Sequence, residues 1–219
     1  MKILIATLFL VVTQSSSART LIIADSHGEG AFGTELVRLI ELQKKHVSAF
    51  AVGGSSPVDW TNGNKQIWGY WEHHTGTEPI RLNHPVTPKF ANLIDKEKPN
   101  TVLIVQGTNL IWRDLKQEDL IALRELISLV SASGAKCYWI GPPDLRLVKI
   151  EQQKRILQIQ EMLQVETQYR CELIKSWELI SYPIKGGDGI HYDQIPFNGP
   201  ELARSWARKV INNISLPTH

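Results

Sequence analysis

The 219-residue chain has little of what marks several classes of protein. Its 24 basic side chains are nearly balanced by 22 acidic ones, so it lacks the basic surface that binding to nucleic-acid phosphates requires. It holds 15 glycines, 11 prolines and no long biased tract, which excludes a fibrous repeat, a linker or a disordered chain. With 42% hydrophobic and 21% charged residues, the composition is that of one compact domain.

The apolar run near the N-terminus is short. It covers residues 3–12, well below the roughly 18 to 20 residues that cross a bilayer. Lys2 precedes the run and small or polar residues follow it up to Ala18, which is the order of a secretory signal peptide. We therefore expect cleavage after Ala18 and a secreted or periplasmic domain over residues 19–219, without a stable membrane anchor. The alternative is that the run forms a buried first strand.

Cysteine is scarce as well. The only two are Cys137 and Cys171, and neither lies near Ala18, so the thiol that a bacterial lipoprotein modifies is missing. Each cysteine begins a β-rich segment, and the two segments are neighbours if successive strands pair. An oxidising compartment permits a disulfide between them. Two separate buried thiols are the alternative, and the sequence leaves that choice open.

Short apolar segments alternate with amphipathic ones along the chain. Strands are predicted at residues 21–24, 47–52, 101–106, 137–140 and 171–175, and segments with apolar residues at helical spacing lie between them. The segment 101–106 is apolar on both faces, as in a central strand covered from both sides. The pattern predicts an α/β domain: a three-layer α/β/α sandwich around a flavodoxin-like parallel five-stranded sheet.

Four polar motifs stand at the ends of predicted strands or just before the last helix. They are Ala24-Asp25-Ser26-His27-Gly28, Gly53-Gly54-Ser55-Ser56, Gly107-Thr108-Asn109 and Asp188-Gly189-Ile190-His191. In parallel sheets, functional groups collect where the strands end at their carboxyl edge. In type and order the set resembles the four signature blocks of the SGNH, or GDSL-type, hydrolases. The resemblance spans nearly the whole mature chain and implies the SGNH hydrolase fold and carboxylic ester hydrolysis.

The chemistry gives each residue a role. A serine hydroxyl becomes a nucleophile when a neighbouring base takes its proton, and histidine is the usual base near neutral pH. Ser26 and His191 are the candidates, and Asp188 can reach back within one loop to orient the imidazole. The resemblance implies an oxyanion hole made by the Ser26 and Gly54 backbone amides and the Asn109 side chain, with Gly53 as the alternative to Gly54. This chemistry requires no metal or organic cofactor.

Two positions depart from the family pattern. Ala24 stands where the first block usually begins with glycine, and His27 occupies the position of its leucine. His27 either contacts substrate together with Asp25 or caps a turn. Asp25 and His27 also resemble the Asp-x-His opening of calcineurin-type metallophosphoesterases, but the Gly-Asn-His block of those enzymes does not occur in this chain. A glycan-binding module that has lost turnover is a further alternative.

Tryptophans suggest the substrate. Trp60, Trp68 and Trp71, with Tyr70, follow the second motif and read as a loop, and Trp112 follows the third. Exposed rings stack against the apolar faces of sugars, whereas buried ones are core residues. We expect Trp60 and Trp112 to bind substrate, and we expect that substrate to be a small-molecule or glycan ester, above all an O-acetylated carbohydrate. A lysophospholipase or thioesterase of the same family is the alternative, and the oligomeric state is left open.

Overall fold

A computed structural model describes residues 18–63, 69–83 and 86–216. The predicted signal peptide lies outside the described residues except for Ala18, which is buried. The Ala18 carbonyl accepts a hydrogen bond of 3.1 Å from the His46 amide. Across the described ranges, no helix combines the length and apolarity that crossing a membrane demands.

The strands are β1 Arg19–Ala24, β2 His46–Val52, β3 Tyr70–His74, β4 Ile80–Leu82, β5 Thr101–Val105, β6 Lys136–Ile140 and β7 Glu172–Ile174. They form one sheet in the order β4-β3-β2-β1-β5-β6-β7. Neighbouring strands are parallel in the part of the sheet made by β2, β1, β5, β6 and β7. Strand β3 is antiparallel to both of its neighbours, β2 and β4. The strand order reverses beside β1, which is where ligands bind in doubly wound sheets.

The predicted parallel five-stranded sheet is confirmed for β2, β1, β5, β6 and β7. The hairpin of β3 and β4 extends it to seven strands, and the sequence reasoning missed that hairpin. In β3 Glu72 pairs with His74 at 2.7 Å and His73 bonds Glu41 at 2.9 Å, and β4 has only three residues, all of them exposed. Paired polar side chains remove the alternating apolar pattern by which a strand is recognised.

The helices are α1 Ser26–Glu29, α2 Ala31–Glu41, α3 Pro57–Asn62, α4 Phe90–Glu97, α5 Gln117–Ser133, α6 Ile150–Thr167, α7 Ser176–Leu179 and α8 Gly199–Asn212. Alternate β1 residues face opposite cores. Leu21 and Ile23 join a cluster with α3 to α6, and Ile22 and Ala24 join one with α2 and α8. The three-layer prediction is thereby confirmed, since both faces of the sheet are covered.

Cys137 and Cys171 form a disulfide, with their Cα atoms 4.6 Å apart. The bridge joins the adjacent strands β6 and β7 near their amino ends. This outcome selects the disulfide over the two buried thiols. Closing a loop with a sequence separation of 34 contributes roughly 3 to 4 kcal/mol in the chain-entropy model.

Candidate active site

A cleft of about 700 Å³ opens at the carboxyl edge of the parallel strands. Loops after β1, β2 and β5 meet there with the segment that precedes α8. The side chains and backbone on its wall belong to Ser26, Glu29, Gly53, Gly54, Asn109, Trp112, Arg113 and His191. The motifs that lie far apart in the sequence therefore share one cavity.

Ser26 is presented by a tight turn from strand to helix. The Asp25 amide donates to the Val105 carbonyl at 3.1 Å, which ties the turn to β5. Asp25 Oδ1 accepts from the His27 amide at 3.1 Å and so caps α1. Gly28 allows α1 to lie directly on the sheet, because a Cβ at that position would overlap the Cβ atoms of Ala24 and Ala51.

The nucleophile candidate and its base are in hydrogen-bond contact. Ser26 Oγ lies 3.0 Å from His191 Nε2, and His191 Nδ1 lies 2.6 Å from Asp188 Oδ2. Asp188 Oδ1 accepts from the amides of Ile190 at 2.8 Å and His191 at 2.7 Å. Partial burial acts to raise the pKa of the Asp188 carboxyl, but these hydrogen bonds outweigh it and hold the pKa below its ordinary value. Asp188 therefore stays ionised and can stabilise an imidazolium.

The loop that carries Asp188 and His191 is anchored by residues that the sequence analysis missed. The Tyr182 hydroxyl accepts from the Gly189 amide at 3.1 Å and donates to the His191 carbonyl at 3.3 Å. The Arg146 guanidinium donates to the Ile184 carbonyl at 2.8 Å. No motif points to either residue, because each acts through main-chain atoms of the loop.

The other oxyanion-hole candidates, Gly53, Gly54 and Asn109, line the same cleft as Ser26. The Gly53 amide already donates to the Gly69 carbonyl at 2.9 Å, which favours Gly54 as the donor for a ligand. Asn109 Nδ2 donates to the Ser55 carbonyl at 2.9 Å. An amide nitrogen carries two hydrogens, so this contact orients Asn109 and leaves its second N–H for a ligand.

Asp25 and His27 are both buried and do not line the cleft, so the expectation that they contact substrate is wrong. Burial raises the pKa of Asp25 to about 7 and lowers that of His27 to about 3. The Asp25 carboxylate caps α1, and the His27 ring packs edge-on against Trp206 at 5.2 Å. In the described ranges, no three His, Cys, Asp or Glu side chains are grouped so as to hold a metal ion.

The aromatic residues divide into core and cleft. Trp60 is fully buried and its Nε1 donates to Ser55 Oγ at 3.1 Å, so the expectation that Trp60 binds substrate is wrong. Tyr70 and Trp71 are buried too, because they belong to β3 and not to a loop. Trp68 lies outside the described residues. Trp112 is 56% exposed at the cleft, where a ligand can reach its ring.

Two charged residues of the cleft were not foreseen. Glu29 lies one turn beyond Ser26, and Arg113 follows Trp112. Arg113 is fixed by two hydrogen bonds of 2.6 Å to the buried Asp119. In the sequence, the signal that Glu29 and Arg113 belong to the cleft was their position directly after the first and third motifs.

No protein-family model matches the chain, and neither does any curated protein. Solved structures do. A structure of TesA superposes with a TM-score of 0.57 at 14% identity, covering 90% of this chain and 99% of that one. A protein from Slackia heliotrinireducens assigned to the SGNH hydrolases gives 0.55 at 14% identity, covering 89% and 100%. A family 3 carbohydrate esterase from Clostridium thermocellum gives 0.54 at 13% identity, covering 90% and 97%. A structural similarity at 13 to 14% sequence identity is evidence for the fold alone. The chain has the fold of the SGNH hydrolases.

Proposed function

We propose that the protein is a serine ester hydrolase of the SGNH type that removes short acyl groups, above all acetyl, from a carbohydrate outside the cytoplasm. The observation that carries this proposal is the hydrogen-bonded series from Ser26 Oγ through His191 to Asp188, with Ser26 and His191 on the wall of an open cleft. An activated serine at a cleft is what acyl transfer to water requires.

The reaction follows from these contacts. Ser26 Oγ attacks the ester carbonyl while His191 Nε2 takes its proton, and Asp188 stabilises the imidazolium. The Ser26 and Gly54 amides and the Asn109 side chain donate to the oxyanion. His191 then returns the proton to the departing alcohol, which leaves the acyl group on Ser26. Water, activated by His191 in the same way, releases the acid and restores the serine.

Charge at the cleft supports a short acyl group and a polar alcohol. Glu29 and Arg113 line the cavity, and a long alkyl chain laid against them would desolvate charged groups without replacing their hydrogen bonds. The exposed ring of Trp112 offers a face for the C–H surface of a sugar. The carbohydrate esterase among the structural neighbours has the same fold.

Location outside the cytoplasm is supported by two features. The N-terminal order of basic, apolar and small residues is that of a secretory signal. The disulfide between Cys137 and Cys171 is of a kind that persists in oxidising compartments.

The test is hydrolysis of p-nitrophenyl acetate, butyrate and palmitate, and of acetylated xylan, by the purified protein. We expect acetate to be the preferred acyl group. Ser26→Ala should reduce turnover to background, whereas Ser131→Ala, a surface control on α5, should retain full turnover.

A preference for palmitate would support the lysophospholipase or thioesterase alternative. Activity that survives in Ser26→Ala but is lost with EDTA would support metal-dependent hydrolysis. Binding of xylan without hydrolysis of any ester would support a glycan-binding module.

A further inference from the structure

The mechanism gives no role to the two charged residues of the cleft, and of these Arg113 is already paired with Asp119, while Glu29 has no such partner among the residues that the structure describes. Glu29 is the last residue of α1 and Ser26 is the first, so the two lie three positions apart on one face of the same helical turn. Both line the cleft. A substrate whose ester reaches Ser26 therefore passes the Glu29 carboxylate.

The hairpin that the sequence did not predict holds Glu29 in place. Arg81 of β4 donates to the Glu29 carbonyl through Nη1 at 3.3 Å and Nη2 at 3.2 Å. Gly69, directly before β3, lies against the carboxylate, since a Cβ at Gly69 would overlap Glu29 Oε2. The antiparallel extension of the sheet thus shapes the wall of the cleft beside the nucleophile.

The Glu29 carboxylate has acceptor capacity left. Burial raises the pKa of Glu29, and the positive charge of Arg81 and a hydrogen bond from the Gly53 amide only partly oppose that rise. A carboxylate offers about four acceptor positions. Arg81 directs its N–H groups to the main-chain oxygen, and the Gly53 amide shares its one hydrogen with the Gly69 carbonyl at 2.9 Å, so within the described residues the carboxylate has at most one shared backbone donor. Donors from a ligand would complete its hydrogen bonding.

We propose that Glu29 is a specificity-determining residue that accepts hydrogen bonds from free hydroxyls of the sugar next to the scissile ester. This inference rests on the proposed function and names the part of the substrate that the cleft selects. Hydroxyls fit better than a cation, because the charge of Arg81 already acts on the same carboxylate and weakens its attraction for a second positive group. Hydroxyls need only the acceptor positions.

The experiment compares three acetyl esters: 6-O-acetylglucose, which has free hydroxyls, p-nitrophenyl acetate, which has none, and acetylcholine, which carries a cation. Glu29→Ala is expected to lower kcat/KM for 6-O-acetylglucose about tenfold or more and that for p-nitrophenyl acetate less than threefold. Glu29→Gln keeps a carbonyl acceptor and is expected to lose less than Glu29→Ala on the sugar ester.

Two further variants sharpen the result. Gly69→Ala, which displaces the carboxylate without removing it, should lower kcat/KM for the sugar ester, as Glu29→Ala does. Glu78→Gln is the matched control, since Glu78 is exposed in the turn of the same hairpin and its change removes the same charge. Glu78 lies at the opposite edge of the sheet, where Thr75 bonds the Val47 carbonyl, so that variant should leave all three reactions unchanged.

Several outcomes would overturn the inference. Equal losses on 6-O-acetylglucose and p-nitrophenyl acetate would give Glu29 a role in placing Ser26, and no loss on either would give it no role in the cleft. A larger loss on acetylcholine than on the sugar ester would make the site one for cations. Failure of the proposed function shows separately, as p-nitrophenyl acetate hydrolysis that is absent in the unmodified protein or retained in Ser26→Ala.

Discussion

Two imidazole rings lie beside Ser26 with their centroids 5.6 Å apart, and their surroundings differ sharply. The side chain of His191 is 27% exposed, and both of its nitrogens are hydrogen bonded, one to Ser26 and one to Asp188. His27 is buried against Trp206, and in the described part of the chain no partner reaches its Nε2. Burial lowers the pKa of His27 to about 3, so this ring stays neutral.

The comparison shows that proximity in sequence and availability for chemistry are separate properties. His27 is bonded to Ser26 in the chain, but its ring points into the packing between α1 and α8. His191 is 165 positions away and makes the contact with the serine hydroxyl. The environment of each ring, and not the residue type, determines which one can accept a proton during catalysis.

The largest difference between the two rings should appear in turnover. Replacing His191 by alanine removes the base, and we expect kcat on p-nitrophenyl acetate to fall by about 10⁴- to 10⁶-fold. His27→Leu introduces the residue that the family pattern has at that position and should change kcat less than about threefold. Comparable losses in both variants would contradict the assignment of separate roles.

The partner of His191 provides the next largest effect. Asp188→Asn replaces the carboxylate that holds Nδ1 at 2.6 Å, so the ring loses its fixed tautomer and its charge stabilisation. We expect kcat to fall by about 10²- to 10⁴-fold with little change in KM. Asp144→Asn is not a suitable control, because Asp144 bonds the Tyr182 amide at 3.0 Å. Asp95→Asn, on the outer part of α4, should leave kcat unchanged.

A smaller effect should follow from loosening the loop around His191. Tyr182→Phe removes the hydroxyl that bonds the Gly189 amide and the His191 carbonyl, and we expect kcat to fall about tenfold. Tyr138→Phe is the matched control, because its hydroxyl bonds Ser215 at 2.7 Å near the amino end of β6. A thermal melt of both variants separates loss of stability from loss of turnover. Equal kcat in the two would show that the Tyr182 hydroxyl does not position the base.

The smallest effect concerns the dependence of stability on pH. The pKa of His27 is 6.5 in the unfolded chain and about 3 in the folded protein. Its contribution to the free energy of unfolding is therefore largest above pH 6.5 and decreases as the pH falls towards 3. The pH dependence that Asp25 contributes has the opposite sign. Folding raises its pKa from 3.8 to about 7, so its contribution to the free energy of unfolding is largest below pH 3.8 and decreases as the pH rises towards 7. The two contributions oppose each other between about pH 4 and 6.5.

Each single variant should remove that balance. Compared with the unmodified protein, the slope of unfolding free energy against pH should become more negative in His27→Leu and more positive in Asp25→Asn. The change is about 1.4 kcal/mol per pH unit for each proton. Urea unfolding at pH 4.5, 5.5 and 6.5 measures it. Three parallel pH profiles would contradict the burial of both groups in their neutral forms.

Particular elements show which parts of the fold and the site could be predicted from the sequence. Thr101–Val105 is apolar on both faces, which predicts a central strand, whereas β3 carries polar residues and β4 is only three residues long, so neither gave a periodic signal. The order of the motifs placed Ser26, Asn109 and His191 at one edge of the sheet. Trp60 was misassigned because an isolated tryptophan has no pattern that separates core from cleft. Glu29, Tyr182 and Arg146 were missed because their contacts are to main-chain atoms or to an unforeseen hairpin.

The sequence by itself determined the layered architecture and the chemical groups at the carboxyl edge of the sheet, because hydrophobic period and strand ends are local properties of a chain. The pairing of Cys137 with Cys171, the burial of His27 and the wall formed by Glu29 were decided only by the tertiary structure. These features depend on which segments come to lie against each other, and desolvation and hydrogen-bond partners arise only once they do.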